Sequence, residues 1–291
     1  RIYGAGGEAS WVRLPAGELR FLRLRLMEGD GPAFGIREIT LLPEAVATSA
    51  DALASAMASD ARRGLFPRAL RGETEPGAPL AAGGDRDGPV LSPDGAVEPA
   101  GGGFSVEPFV RVAGRLLTWA DVKTQSASPE GGAPSVRWTS REVELEVALV
   151  TEEAGTAVRY RLRNRTSARL VTTLVLAVRP LRVRPAPDAA GGVTRVAPIR
   201  SLAWGDRRVV VNEGRYLVAT PAPPSFHPAS LVGGDVTSYL EAGKVPPERA
   251  VEDATGFASG ALAFPMALEA GASADVLLRA PPARAGGKGL F

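Results

Sequence analysis

Almost every segment from Phe104 to Leu278 repeats one pattern, in which apolar and polar side chains alternate in short runs closed by Gly, Pro or Asp. A period of two places neighbouring side chains on opposite faces of an extended chain, so the pattern calls for half-buried β-strands. Val143, Leu145, Val147 and Leu149 lead through Thr151–Gly155 into Val158, Tyr160 and Leu162, a hairpin with one apolar face. On its other face Glu142, Glu144 and Glu146 are expected to oppose Arg159, Arg161 and Arg163, a charge ladder that sets register more than it stabilises. A second hairpin runs from Phe104, Val106, Phe109, Val110 and Val112 through Ala113-Gly114 into Leu116, Leu117 and Trp119. Further strands are expected at 170–178, 193–196, 209–211, 216–219, 261–264 and 274–278. Many strands, little helix and no repeat period predict a mainly β fold, a two-layer antiparallel sandwich.

The N-terminal third differs. Trp11 to Leu26 and Ile36 to Leu42 read as a few strands, too few to enclose a core. From Ser49, a helix cap, Leu53, Met57 and Ala61 recur every four residues until Arg62, Arg63 and Gly64, which predicts one short connecting helix near the N-terminus. Arg71 to Gly103 is dense in Gly, Pro, Ala and Asp and reads as a linker or long loop. Pro221 to Ala254 is the longest interruption of the strand pattern, with a short helix expected near Tyr239.

Composition removes whole classes of chemistry. The 291 residues include no Cys and one His, which leaves no thiol nucleophile, Zn–thiolate site or mechanism with two imidazoles. With 34 basic and 32 acidic side chains interspersed, there is no basic field for a nucleic acid. No apolar run is long enough to span a membrane, and the first residues lack the order of a signal peptide. The chain starts without Met, as expected of a piece of a longer protein.

Few residues stand out as chemical groups. His227, between Phe226 and Pro228, reads as a loop histidine rather than a base, and no GxSxG elbow is present. Gly4 to Gly7 lacks phosphate-loop spacing, and Gly83 to Gly88 lacks the later bidentate Glu of a calcium loop, so both read as turns without cofactor or metal. Glu98, Glu107, Asp121 and Asp235 could supply a glycosidase pair, but nothing in the pattern selects two of them. Sugars stack on aromatic rings beside polar groups, which makes Trp119, Asp121, Trp138 and Trp204 the candidates for a carbohydrate site or a domain interface. Alternation is expected to put Trp119 and Asp121 on one strand face, while core packing is the commoner fate of such Trp residues. Asn164-Arg165-Thr166 fits a glycosylation acceptor, though the Ala, Arg, Gly and Pro bias resembles that of a GC-rich bacterial genome, where such an acceptor carries little weight.

The stretch 9–43, with Arg-Phe-Leu-Arg-Leu followed by Gly-Ile-Arg-Glu-Ile, resembles the C-terminal strands of a discoidin-like, coagulation factor 5/8 type C module. The remainder, especially VLSPDGAVEPAGGGFSVEPFVRVAGRLLTWADVK at 90–123, resembles the β-rich N-terminal domain that precedes the helical barrel of large bacterial glycosidase-like proteins. That resemblance implies a supersandwich similar to galactose mutarotase. It divides the chain into a discoidin-like remnant at 1–45, a helical connector at 46–75, the supersandwich at 76–283 and a linker tail at 284–291. It further implies a non-catalytic accessory or carbohydrate-binding domain, with an oligosaccharide and a C-terminal catalytic domain as partners, and is compatible with polysaccharide work outside the cytoplasm. The alternative is a mutarotase-like or glycosidase enzyme acting through Glu107, Asp121 and His227, for which one loop histidine is a departure from the usual His and Glu pair.

Overall fold

The computed structural model describes residues 44–81, 87–127, 133–150, 155–187, 192–212 and 214–281, with the single positions Val12, Ile39 and Leu41. The discoidin-like strands expected at 9–43 and the tail at 284–291 otherwise lie outside the described residues. Helices are α1 (Glu44–Ala47), α2 (Ala50–Asp60) and α3 (Val236–Glu241). Strands are β1 (Leu80–Ala81), β2 (Val90–Leu91), β3 (Val97–Glu98), β4 (Ser105–Val112), β5 (Arg115–Leu117), β6 (Lys123–Ala127), β7 (Ser135–Thr139), β8 (Val143–Val150), β9 (Thr156–Asn164) and β10 (Leu170–Arg179). They continue with β11 (Leu181–Pro187), β12 (Val193–Val196), β13 (Ser201–Gly205), β14 (Arg208–Val211), β15 (Arg215–Thr220), β16 (Phe226–Ala229), β17 (Ala250–Glu252), β18 (Ser259–Leu268) and β19 (Ser273–Ala280).

These strands build a two-layer antiparallel supersandwich. One sheet runs β1-β2-β3-β4-β10-β18-β16, with β5 also on β4, and the other runs β17-β13-β14-β15-β19-β9-β8-β7-β6. A small ribbon of β11 and β12 stands beside them. Val110 and Val112 of β4, Leu174 and Leu176 of β10 and Phe264 of β18 meet Val147, Tyr160, Leu162 and Val276 of the other sheet in a common core. Strands β8, β9 and β19 of the second sheet carry their charged side chains, Glu144, Glu146, Arg161, Arg163 and Asp275, on the face away from that core.

The expected ladder holds in register for Glu144 opposite Arg163 and Glu146 opposite Arg161. The ion pairs close elsewhere. Arg161 pairs with Asp275 of β19 at 2.8 Å and Arg159 with Glu146 at 3.2 Å, because β9 has acids on both flanks. Glu142 lies beyond the ladder and takes Arg115 at 2.7 Å.

The first sheet is covered on both faces, and the residues ahead of the sandwich form its third layer. Ala54, Met57 and Ala58 of α2 pack with Leu65, Phe66, Leu70, Val236 and Leu240 over Phe109, Val175, Ala177 and Ala261. Helix α2 starts at the expected cap, where Ser49 Oγ accepts from the Ala52 amide at 3.1 Å. Its buried stripe is centred on Ala54 and Ala58 rather than on Leu53 and Ala61. Asp51 on this helix accepts the Arg195 and Val196 amides at about 3.0 Å, which pins β12 to α2.

Two local expectations are corrected. Arg71–Gly103 is not only a loop: β1, β2 and β3 extend the first sheet through it, and two-residue strands are too short to display a period. Trp119 and Asp121 do not share a strand face. Thr118 Oγ1 accepts from the Ala120 amide while Asp121 Oδ2 accepts from the Thr118 amide at 2.9 Å, a capping box that closes Trp119–Asp121 into a 3₁₀ turn.

Candidate functional site

A cleft opens beside the strap at residues 64–75, which packs on the outer face of the first sheet. Its walls are Gly64, Pro67, Leu70 and Glu75 of the strap, Ser92, Asp94 and Ala96 of the β2–β3 turn, Glu107 of β4, Trp119, Trp138, Arg182 and Arg195. The strap lies close to the 3₁₀ turn, because a Cβ on Gly64, at a φ of +98°, would clash with Thr118. The cleft encloses about 40 Å³, room for a few waters, well below the about 300–1,000 Å³ of a typical small-molecule site.

Behind the wall lies a buried charge triad. Arg179 ends β10, and its Nη1 donates to Glu107 Oε2 at 2.9 Å and to the Leu65 carbonyl at 2.7 Å. Its Nη2 donates to Asp235 Oδ1 at 3.2 Å. Asp235 also caps α3 by accepting the Thr237 amide at 2.9 Å, and Ser105 Oγ donates to Glu107 Oε1 at 2.9 Å. The guanidinium carbon stands 4.1 Å from the Phe66 ring centroid. Burial raises the Glu107 carboxyl above its ordinary value, with Asp235 adding repulsion that Arg179 only partly offsets. For Arg179 the two acids outweigh burial and keep the guanidinium charged.

The other acids are also paired. Burial raises Asp94 even though Arg68 Nε donates to it at 2.9 Å. Asp121 is opposed by burial, yet the bonds from Thr118 and from Arg62 Nη1 at 3.2 Å hold it below the ordinary carboxylate range. Glu98 accepts the Val183 and Arg184 amides at 2.9 Å each and Arg182 Nη1 at 3.3 Å. His227 bridges the Pro246 carbonyl at 2.9 Å and Ser225 Oγ at 3.0 Å.

The four sequence candidates fall in different places. Trp119 and Trp138 both stand at the cleft but are 6% and 3% exposed, and their ring N–H groups donate to the Phe66 and Asp94 carbonyls at 3.1 Å. The Arg68 and Arg63 guanidinium groups lie 3.9 and 4.8 Å from the Trp119 centroid. Asp121 is outside the cleft wall. Trp204 is on β13, half-buried, 6.4 Å from Phe226.

No protein-family model matches the chain, and no curated relative does. Among solved structures it is similar to a protein named as a kojibiose phosphorylase from the human microbiome (8% identity, 61% of this chain and 22% of that one, TM-score 0.33). It is also similar to one named as an aldose 1-epimerase from Escherichia coli K12 (12%, 60% and 78%, 0.34). A third is the Slr1438 protein of Synechocystis sp. PCC 6803 (9%, 72% and 98%, 0.38). At such identities and scores they assign no family. The chain spans about a fifth of the phosphorylase, 22% of its length.

Sequence pattern missed Arg179, Arg68 and the strap. Arg179 had one signal, a single cation ending the apolar run Leu174–Val178. Arg68 had none. Among the described residues no cluster of three His, Cys, Asp or Glu could hold a metal ion, and no helix is long and apolar enough to cross a membrane.

Proposed function

We propose that this chain is a non-catalytic β-supersandwich module of a larger carbohydrate-active protein, packed in that protein against a separate catalytic domain. The observation that carries the reading is the Arg179 triad, in which Glu107, although it lines the cleft, is tied together with Asp235 to one buried guanidinium at 2.9 and 3.2 Å. A glycosidase acid or an epimerase base needs a carboxyl within reach of substrate and free to exchange its proton. Asp94 and Asp121 are likewise held by Arg68 and Arg62. The carbohydrate part rests on the sequence resemblance at 90–123. Should the module itself hold an oligosaccharide, Trp204 is the one candidate ring with exposed surface left for stacking.

The test is turnover by the intact chain, followed by polarimetry on glucose and galactose and by release of nitrophenol from chromogenic glycosides. The expected result is none above the buffer rate. Turnover that disappears in Glu107→Gln overturns the reading. A glycan array then separates a sugar-binding module, whose signal falls in Trp204→Ala, from a scaffold that binds none.

A further inference from the structure

While the acids of the cleft are paired, Arg182 and Arg215 beside it have one ion-paired acid between them among the described residues, Glu98 on Arg182. After Glu98 the chain turns through Gly101, Gly102 and Gly103, whose φ values are +76°, +63° and +97°. A Cβ on Gly102 would stand 2.9 Å from Arg182 Nη1, and one on Gly103 would stand 2.5 Å from Arg215 Nη1. Arg182 comes from β11 and Arg215 from β15, so two guanidinium groups from different sheets rest on one glycine backbone. Only glycine lets them approach that closely.

Among the described residues, Glu98 is the acid that forms an ion pair with either guanidinium. Glu98 serves Arg182 Nη1 at 3.3 Å and two backbone amides. Arg215 Nη2 donates to the Ala100 carbonyl at 2.8 Å, its carbon lies 5.0 Å from the Phe104 centroid, and it has no ion pair among the described residues. Arg182 Nε is buried without a partner among the described residues. Burial and the neighbouring Arg182 push the Arg215 guanidinium below its ordinary value, with Glu98 acting against them. Two half-buried planar forks around one committed carboxylate are a receptor for a group with paired oxygens.

We propose that Arg182 and Arg215, on the Gly101–Gly103 backbone, bind an oxyanion, the carboxylate or sulfate group of an acidic glycan or a free inorganic anion. This goes beyond the module reading, since an oxyanion can bind whether or not the parent protein acts on sugars.

Calorimetric titration of the intact chain with sodium sulfate, against sodium chloride at matched ionic strength, tests it. Sulfate also stabilises folds by exclusion, so the specific part is the saturable heat that Arg215→Gln removes. Arg215→Gln and Arg182→Gln are each expected to weaken sulfate binding about tenfold. Arg163→Gln, on the solvated face of β9, is expected to leave it unchanged. Trigalacturonate competing with bound sulfate would assign the site to acidic glycans; saturable sulfate binding without that competition would assign it to inorganic anions. Sulfate heat no different from chloride, or unchanged binding in a folded Arg215→Gln, overturns the proposal. If Arg215→Gln fails to fold, Arg215→Lys keeps the charge without the fork and is expected to lose most of the sulfate affinity, while affinity equal to the unmutated chain would count against it.

Discussion

Arg179 Nη1 and Glu107 Oε2 stand 2.9 Å apart with side-chain exposures of 1% and 8%, an ion pair taken almost wholly out of water. Removing one partner of such a pair leaves the other charge buried alone. Arg179→Met strands both Glu107 and Asp235 and is expected to cost about 3–5 kcal/mol of unfolding free energy. Glu107→Gln keeps Arg179 with Asp235 and removes the surplus negative charge, so its cost is expected to be the smaller. Urea unfolding of both variants checks the order, and Glu107→Gln as costly as Arg179→Met would refute the two-acids, one-base account.

The same carboxyl gives a pH signature. Glu107 is raised in the fold, chiefly by burial, so above the ordinary carboxylate value the folded state binds more protons than the unfolded. Its contribution therefore favours the fold at low pH and is lost as pH rises through its folded value. Asp121 is lowered, as is Glu73 of the strap, which accepts from Arg63 Nη2 at 2.8 Å, and their contribution is present above the ordinary value and lost as pH falls. Comparing unfolding free energies of the parent chain and Glu107→Gln over about pH 4–8 is expected to show their difference shifting in favour of the variant as pH rises. A difference independent of pH would contradict this.

Asn164 is a structural hub rather than a surface acceptor. Fully buried, its Nδ2 donates to the Ala168, Leu268 and Glu269 carbonyls at 2.7, 3.0 and 3.0 Å, and its Oδ1 accepts the Thr166 amide and hydroxyl at 2.8 Å. Asn164→Ala leaves those groups unpaired and is expected to cost about 2–3 kcal/mol. Expression in a glycosylating host is expected to give no added mass at Asn164 in the folded protein, which intact-mass spectrometry reads directly.

Tyr160 carries the opposite case. Its hydroxyl is buried in the inter-sheet core without a hydrogen-bond partner among the described residues, and burial alone pushes its ionisation to higher pH. Tyr160→Phe removes an unpaired polar atom while keeping the ring, so stability is expected to hold or rise by about 1 kcal/mol. A loss of more than that, seen in thermal unfolding, would reveal a partner for the hydroxyl.

The strand content was legible because β8 and β9 carry their charges, Glu144, Glu146, Arg159, Arg161 and Arg163, on one face only, so their sequence carries the period directly. β10 was legible as a strand, but its consecutive apolar residues Leu174 to Val178 gave no hint of what covers the second face. That cover comes from residues far away in sequence, such as Phe66 and Leu240, and a local pattern holds no record of such contacts. Trp119 misled for a related reason: the Thr118–Asp121 capping box competes with strand alternation over a span too short for periodicity to decide. The candidate cleft was half legible. Its rings and Glu107 were visible as residue types, whereas the arginines that neutralise its acids become partners only through the tertiary fold.

Phe66 tests whether the segment expected to be a connector at 46–75 is part of the sandwich. It is 4% exposed, its ring lies under the Arg179 guanidinium, and its carbonyl accepts the Trp119 ring N–H at 3.1 Å. A flexible connector would tolerate Phe66→Ala with a change within about 0.5 kcal/mol, as surface positions do. A packed third layer would lose the ring, open a cavity over Val175 and Ala177, and remove the aromatic face from a buried cation. The expected cost is about 3–5 kcal/mol, with Arg179 and the cleft loosened together. Urea unfolding that shows a single cooperative transition with a lowered midpoint would make the strap one folding unit with the sheets, whereas an unchanged midpoint would return it to the status of a linker.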